Sequence, residues 1–148
     1  MTQLTRTLRR CDAGTAMLET AVTLPLILLV SVGIVEFGRA YQTWQVITNA
    51  AREGARIAVL PGTNNAAVTA QVRAYMASGQ LPQAANAGVN VVRNVPLAAG
   101  GATATGSRVT ITYPFSFVVL QPVARLVTPG THVGDAITMS SSALMRNE

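Results

Sequence analysis

The chain has 148 residues, of which 49% are hydrophobic, 11% are charged and 5% are aromatic. An ordinary soluble domain carries about 25% charged residues, so this composition indicates a protein built partly for a lipid environment. Intrinsic disorder, collagen and a disulfide scaffold are excluded, because they require high charge, periodic glycine and paired cysteines, and Cys11 is the only cysteine. The length fits one domain, which argues against a multidomain enzyme.

The formal net charge is +5, and every basic residue is an arginine. Arg6, Arg9 and Arg10 lie close together before a long apolar stretch, whereas the other arginines are scattered singly along the chain. Nucleic-acid binding needs a basic patch, usually with interleaved aromatic rings, and this sequence has neither. We therefore expect no nucleic acid among the partners, and we assign the charge to solvated surfaces and to membrane topology.

One segment is apolar enough to cross a membrane. Thr20–Val35 carries no charge, and the apolar run extends back to Ala13 with Glu19 as its only charged residue. A helix rises about 1.5 Å per residue, so residues 13–35 cover about 35 Å, more than a hydrocarbon core of about 30 Å. We therefore predict a transmembrane helix over residues 15–40, in contact with the lipid bilayer. A carboxylate in lipid is costly unless it is paired, so Glu19 needs an explanation.

The residues around this span indicate its boundary and its orientation. Arg39, Tyr41 and Trp44 are expected at the membrane interface, because aromatic rings and long basic side chains commonly lie there. Pro25 is tolerated in a membrane helix and is expected to kink it. The three clustered arginines precede the span, which predicts a cytoplasmic N-terminus and a translocated region beyond about residue 40.

A cleavable signal peptide is an alternative explanation of the apolar segment. Gly38-Arg39-Ala40 places small residues where a signal peptidase needs them, and cleavage there would release a secreted binding domain. The apolar run exceeds the usual length of about 7 to 15 residues, Glu36 lies before the cut, and the helical pattern continues past it, which favours an anchor. An uncleaved anchor that presents an extracytoplasmic binding head is the other alternative.

The helix is predicted to continue outside the membrane over residues 41–60. Apolar residues recur at three- and four-residue steps to about Val59, and Leu60-Pro61-Gly62 then ends the helix. Small residues also repeat at every fourth position, which lets either a partner helix or the chain's own domain approach closely; they are Ala50, Gly54 and Ala58. The predicted apolar stripe comprises Phe37, Tyr41, Trp44, Thr48, Ala51, Ala55 and Ala58.

Residues 61–148 are predicted to form a small extracytoplasmic head. Thr63 or Asn64 caps a short helix that runs to about Ala77. Three strands are predicted at Val89–Val95, Arg108–Tyr113 and Ile137–Arg146. The helix is expected to turn an apolar face inward that comprises Ala67 or Val68, Val72, Tyr75 and Met76. The third strand is expected to do the same with Ile137, Met139, Ser141, Ala143 and Met145.

Two segments of the head are predicted as loops. Pro96–Ser107 is rich in glycine and alanine, and Phe115–Val127 is apolar but contains Pro122, which permits at most one helical turn. Pro114 is expected to end the second strand. The predicted fold class is therefore α+β: a long N-terminal helix packs on a small antiparallel sheet of about three strands plus one short helix, in the shape of a lollipop.

The chain carries little of the chemistry that enzymes use. It contains one histidine, one cysteine and six acidic residues, without an evident nucleophile and base, carboxylate pair or metal cluster. His132 lies in a predicted turn three residues before Asp135, but a triad or a metal site needs a further partner. We therefore expect no enzyme activity, no catalytic residue, no cofactor and no metal.

The segment Gly14-Thr15-Ala16-Met17-Leu18-Glu19 carries the strongest functional signal. Gly14 ends a short basic leader at residues 1–14, Glu19 is the fifth residue beyond it, and an apolar helix follows. This arrangement resembles a prepilin peptidase site, in which cleavage exposes an α-amine on Thr15. That amine or a neighbour's, together with the helix dipole, would stabilise the carboxylate in lipid. A chance glycine beside a boundary glutamate is the simpler alternative.

A longer pattern resembles the TadE-like family of tight-adherence pilus assembly proteins. Order and spacing agree over about residues 13–60, and the tail is also similar around Val109–Phe115 and Met145–Glu148. Thr20 departs from the family pattern, which usually places an aromatic residue directly after the glutamate. The matching segments are Leu18-Glu19, Leu24-Pro25-Leu26-Ile27-Leu28-Leu29, Gly33-Ile34-Val35-Glu36-Phe37-Gly38-Arg39-Ala40 and Asn49-Ala50-Ala51-Arg52-Glu53-Gly54-Ala55-Arg56.

The resemblance implies a pilin-like minor pseudopilin of the bacterial inner membrane that helps assemble a Flp/Tad-type, type IVb-like pilus. Its implied partners are prepilin peptidase, the major Flp pilin, a sister pseudopilin and the inner-membrane assembly platform. Gly14 and Thr15 would form the processing site and Glu19 would dock subunits, while the stripe from Ala50 to Ala58 would pack helices. About 90 residues follow the helix, which favours a minor rather than a major pilin.

Overall fold

The computed structural model describes the backbone of residues 2–99, 102–127, 130 and 132–147, and the side chains of residues 14–97, 104–125, 130 and 132–147. The predicted α+β class is confirmed, because one long helix packs on a three-stranded antiparallel sheet with shorter helices beside it. The side chains of the predicted leader lie outside the described residues. In chain order the elements are α1 (Thr2–Ala58), α2 (Asn65–Ser78), a 3₁₀ turn (Ala84–Asn86), β1 (Gly88–Ala99), β2 (Ala102–Phe115), α3 (Leu120–Val127) and β3 (Ile137–Arg146).

The helix α1 has 57 residues, which corresponds to a length of about 85 Å. It contains Pro25 and ends at Ala58, one residue before the predicted end. Gly62 adopts a φ of 79° in the turn that follows, a conformation that glycine reaches without strain. Residues 14–35 include no buried side chain, whereas one face of the helix is buried from Glu36 onward. The helix therefore has two halves. The lower half, residues 14–35, has no buried side chains and is called bare below, and the upper half, residues 36–58, packs against the head.

The buried face of α1 differs from the predicted stripe in its lower part. Phe37, Tyr41 and Trp44, which belong to the predicted stripe, are 66%, 62% and 48% exposed, so the stripe does not follow the buried face at this level. The buried positions at this level include Glu36 and Thr43, and these polar residues interrupt the apolar periodicity on the true inner face. Higher in the helix the predicted stripe is confirmed at Ala51, Ala55 and Ala58.

The helix α2 begins and packs largely as the sequence predicts. The Asn64 side chain caps it, because its Oδ1 accepts a hydrogen bond from the Ala67 amide at 2.7 Å. Tyr75, predicted on the inner face, is 37% exposed, and Ala67 is exposed as well. The buried side chains are Val68, Val72 and Met76.

The sheet has the order β1-β2-β3, so β2 is its central strand. Val109 of β2 pairs with Val91 of β1 on one side and with Ala143 of β3 on the other. The bounds of β3 agree with the prediction, although Ile137 at its start is 44% exposed. The half-buried residues of β3 are Met139, Ser141, Ala143 and Met145, as predicted.

The predicted loop at Pro96–Ser107 is wrong over most of its length. The strands β1 and β2 continue to pair through this region, from Pro96 opposite Thr105 to Ala99 opposite Ala102. Glycine and alanine are poor strand formers, but here the backbone ladder of a two-stranded extension holds the segment. Residues 100 and 101, which the same prediction included, lie outside the described residues.

Pro114 does not end β2, which runs on to Phe115. The strand β1 pairs with β2 only as far as Thr112, so Pro114 lies where β3 alone pairs with it, opposite Thr138. A strand with one free side tolerates a residue that lacks an N–H group. The prediction failed because local sequence does not tell where the neighbouring strand stops.

The prediction of a loop at Phe115–Val127 is corrected by α3. This helix has 8 residues, and Pro122 is the third of them. An N–H group in the first turn of a helix has no partner within the helix, so proline is accepted there without the loss of a hydrogen bond. The segment Ser116–Val119 before the helix is irregular, as predicted.

The core lies where α1, α2 and β2 meet. Gly54 lets these elements approach, because a Cβ added there would lie 2.5 Å from Val72 Cγ2 and 3.2 Å from Val109 Cγ1. A larger residue would therefore force the helix away from the sheet. The principal buried apolar residues are Ile47, Ala50, Ala51, Ala55, Ala58, Val68, Val72, Met76, Val109, Ile111, Tyr113 and Phe115.

Candidate functional site

A buried carboxylate joins α1 to the segment before α3. Glu36 is only 2% exposed, and its Oε1 accepts hydrogen bonds from the amides of Val118 at 2.9 Å and Val119 at 2.7 Å. Its Oε2 accepts one from Arg39 Nη1 at 2.9 Å. Two amides at the N-terminus of a helix and one guanidinium offset the cost of burying this charge. Glu36 therefore fixes the start of α3 on α1.

Arg39 connects the same junction to the end of β2. Its guanidinium carbon lies 5.5 Å from the centroid of the Phe115 ring, a distance typical of a cation–π contact. Phe115 in turn meets Phe117 edge to face, with 5.2 Å between ring centroids. The carboxylate, the guanidinium and the two rings thus hold the lower edge of the head on α1.

Below this junction α3 packs against the bare half of α1. Leu120 and Val123 face the α1 surface across an apolar groove of about 270 Å³. Because the start of α3 is bound to Glu36 and its contacts lie N-terminal to Glu36 on α1, α3 runs beside the apolar segment rather than beside the sheet. The α1 residues that line this groove are Pro25, Leu28, Leu29 and Val32.

A small polar cluster connects α3 to the turn at residues 132–135. Asp135 accepts hydrogen bonds from Gln121 at 3.3 Å and from Arg125 at 3.2 Å, and its Oδ2 lies 2.9 Å from His132 Nδ1. The hydrogen bond with His132, followed by those from Arg125 and Gln121, lowers the pKa of the Asp135 carboxyl. The predicted proximity of His132 and Asp135 is present, and here the pair ties the 132–135 turn to α3.

The residues of the predicted processing site lie on open turns of α1. A side chain added at Gly14 would meet no atom within 4 Å, and Thr15 and Glu19 are exposed. Thr20 and Thr23 donate to main-chain oxygens of the preceding turn, so their hydroxyls are satisfied within the helix. Within the part of the chain whose side chains are described, no group binds the Glu19 carboxylate, which is the only charge in residues 14–35.

The apolar surface around Glu19 is large. In the described chain α1 is the one helix long and apolar enough to cross a membrane, with a mean hydropathy of 2.2 in its most apolar window and none of that window buried. Apart from Val32, the Leu, Ile and Val side chains there are 52% to 69% exposed. Such a surface on a soluble protein is a site for lipid or for another apolar surface, and it supports a single-pass anchor.

Residues 14–56 match the family model of TadE-like proteins. The resemblance predicted from the sequence is thereby confirmed over this segment, and it associates the chain with the Tad pilus system. The match begins at Gly14 and ends within the last turns of α1, so it covers the helix and leaves the head outside. No curated protein and no solved structure is detectably similar to the chain.

Two sets of predicted site residues lie in the upper part of α1. Ala50, Gly54 and Ala58 are buried against the chain's own head, so their surface is occupied within this molecule. Tyr41 and Trp44, which were predicted at the membrane interface, are exposed above the apolar surface.

Sequence reasoning missed the role of Glu36 in the TadE-like segment. The sequence analysis used Glu36 as an argument against a cleaved signal peptide and placed Arg39 at the membrane interface, and it predicted no contact between the two residues. The spacing of three residues between them was the available signal, because it allows an ion pair on one helix face. Among the residues that the structure describes, no group of three or more histidines, cysteines or acids could hold a metal ion.

Proposed function

We propose that the protein is a minor pseudopilin that takes part in assembling a Flp/Tad-type pilus at the bacterial inner membrane, without catalysis. The observation that carries this proposal is the exposed apolar half of α1, which holds the Glu19 carboxylate five residues beyond Gly14, without a partner among the residues whose side chains are described. The TadE-like match begins at that glycine. Such a helix needs lipid or other apolar helices around it, and a pilus subunit meets both in turn.

The proposed topology follows from the charges and the aromatic rings. Residues 15–40 cross the inner membrane, the leader lies in the cytoplasm, and residues 41–60 and the head at 61–148 lie on the periplasmic or extracellular side. The three leader arginines support this orientation. Tyr41 and Trp44, exposed just above the span, provide rings at the depth of the lipid headgroups.

Processing by prepilin peptidase gives Glu19 its role. Cleavage between Gly14 and Thr15 removes the leader and places a positive α-amine at the new end of α1, four residues before Glu19. One charge offsets the other in lipid, where an unpaired carboxylate costs several kcal/mol. The amine of a neighbouring subunit can replace the subunit's own, so Glu19 would dock one subunit on the next. The docking partners would be the major Flp pilin and a sister pseudopilin on the inner-membrane assembly platform.

The junction at Glu36 argues against a secreted domain cut after Ala40. Such a cut would fall inside the continuous helix α1 and would remove both Glu36 and Arg39. The Val118 and Val119 amides would then lose their acceptor, and Phe115 would lose its cation. The head is therefore built to keep residues 36–40 attached.

The first experiment determines the N-terminus of the protein expressed in its native host with a C-terminal tag, by intact mass and terminal sequencing. A chain that starts at Thr15 is the expected result and supports prepilin-type processing. A start at Met1 would contradict processing and leave a plain anchor that presents a binding head. A start at Tyr41 would contradict the membrane anchor and indicate a secreted binding module.

The second experiment tests docking with the variant Glu19→Ala. The variant should still be cleaved and inserted, because the cleavage glycine and the apolar surface are unchanged, but it should assemble few or no pili. Glu53→Ala is the matched control, since Glu53 is an acid on the same helix that lies outside the span. It should leave piliation normal. Normal piliation in the Glu19→Ala strain would refute the docking role.

A further inference from the structure

The position of α3 beside the apolar half of α1 has a consequence for the membrane. Leu120 and Val123 share a groove with Pro25, Leu28 and Val32, which are 4 to 11 positions before Glu36 on α1. At about 1.5 Å per residue, this contact extends from about 6 Å to about 16 Å below the Glu36 junction along the helix axis. Whatever surrounds α1 at this depth must also surround α3.

The charges of α1 determine where the hydrocarbon can lie. A core of about 30 Å takes up about 20 residues of helix. If α3 remained in water, the core would have to end near Pro25. In the processed chain only residues 15–25, about 16 Å of helix, would then lie in the core. In the unprocessed chain the core would extend back into the leader, across Arg6, Arg9, Arg10 and Asp12. Each of those charges costs about 2.5–3.5 kcal/mol at the centre of a membrane helix. A core that ends near Glu36 instead contains only Glu19, and it includes the groove between α1 and α3.

Several polar groups at α3 have partners within the protein. Glu36 accepts hydrogen bonds from the two amides before the helix, and Asp135 forms an ion pair with Arg125 whose side chains are 38% and 59% exposed. Gln121 also donates to Asp135. In lipid, paired polar groups avoid most of the cost that single ones would incur.

The outer surface around α3 combines exposed valine side chains with the polar cluster of Arg125, His132 and Asp135. Val118, Val119 and Val123 are 61%, 39% and 42% exposed, and Val133 in the facing turn is 56% exposed. This surface is continuous with the exposed leucines and isoleucines of α1, which meet lipid in the proposed topology. The acyl chains that cover α1 are therefore its natural occupant.

We propose that α3 is a second membrane contact, immersed in the head-side leaflet of the bilayer against α1, with Glu36 and Arg39 at the headgroup level. The proposal rests on the anchoring of α1 that the proposed function contains. In this arrangement two helices, α1 and α3, enter the bilayer at the junction between anchor and head. Lipid acyl chains, and not a second protein, cover Val123 while the protein resides in the membrane.

The test uses the full-length protein with Cys11→Ser, so that single cysteines can be labelled with an environment-sensitive NBD fluorophore. The labelled variants are Leu28→Cys on the anchor, Val123→Cys and Val118→Cys at α3, and Val92→Cys as a control on the exposed side of β1. Each is reconstituted in phosphatidylcholine and phosphatidylglycerol vesicles that contain lipids with a doxyl quencher at a shallow or a deep acyl position. Circular dichroism of each variant confirms that it is folded.

We expect Leu28 and Val123 to be quenched severalfold more strongly than Val92, and Val118 to be quenched preferentially by the shallow probe. If Leu28 is quenched but Val123 resembles Val92, α3 lies outside the lipid and the inference is overturned while the anchor stands. If Leu28 also resembles Val92, the anchor itself fails, and the proposed function fails with it. Efficient disulfide formation between copies at Val123→Cys, with loss of quenching there, would overturn the inference in favour of a second copy.

Discussion

The two halves of α1 differ in side-chain size and in what surrounds them. Residues 14–35 expose leucine, isoleucine and valine, whereas the upper half buries mostly alanine, glycine and one isoleucine against the sheet and α2. Large apolar side chains suit lipid, which adapts to any shape, while small ones let the backbone of a sheet come close. A single helix thus acts as an anchor below Glu36 and as the central support of the head above it.

The strongest test of the boundary between the halves is Glu36→Ala. This change leaves Arg39 without its carboxylate and removes the acceptor for the Val118 and Val119 amides, so we expect a loss of about 3–5 kcal/mol of head stability. Denaturant unfolding in detergent micelles would measure it, and hydrogen exchange at the two amides should quicken.

Glu53→Ala is the control for this loss, because Glu53 forms the same three-residue pair with Arg56 on an exposed part of the helix. Hydrogen bonding to Arg56 lowers the pKa of Glu53, but solvent screens the pair and little stability should be lost. Equal losses in the two variants would show that the Glu36 junction carries no special weight.

Two isoleucines, one in each half of α1, allow a direct comparison of the halves. Ile47 is fully buried and Ile34 is 69% exposed on the same helix. Ile47→Ala should lower the free energy of unfolding in micelles by about 3 kcal/mol through lost burial and a cavity, whereas Ile34→Ala should leave it nearly unchanged. Similar effects at both positions would mean that the head does not pack on α1 at this level.

Substitutions of one glycine in each environment are expected to give the smallest difference in stability. Gly54→Leu would drive a side chain into Val72 and Val109, and we expect a loss of about 2 kcal/mol, while Gly38→Leu faces open space and should be neutral or slightly stabilising. Thermal unfolding of the two variants in micelles would measure the difference. If Gly54→Leu kept full stability but lost pilus assembly, the small-residue stripe would serve a partner helix instead.

Local signals in the sequence were enough for several elements. The end of α1 near Ala58, the Asn64 cap of α2 and the bounds of β3 each depend on a few adjacent residues, namely a Pro-Gly stop, a capping amide and strict alternation. The TadE-like resemblance is equally local, and the family match over residues 14–56 confirms it.

Local sequence signals could not predict how distant segments of the chain pair. The extension of the β1–β2 hairpin through Pro96–Ala99 depends on two strands that support each other despite poor propensities. Arg93 is another case. Its guanidinium donates hydrogen bonds to Ala58 O at 2.6 Å, Thr63 O at 2.7 Å and Asn65 Oδ1 at 2.9 Å. The residues next to Arg93 in the sequence do not predict these contacts.

The sequence by itself determined that this protein has a long apolar helix, a small α+β head and a TadE-like pattern along the helix. Only the tertiary structure decided which face of α1 meets the head, and it placed Glu36 rather than an aromatic residue there. The physical reason is distance along the chain. Periodicity and caps act over a few residues, whereas the Glu36 carboxylate finds its amides 82 and 83 residues away, where only the packed sheet can bring them.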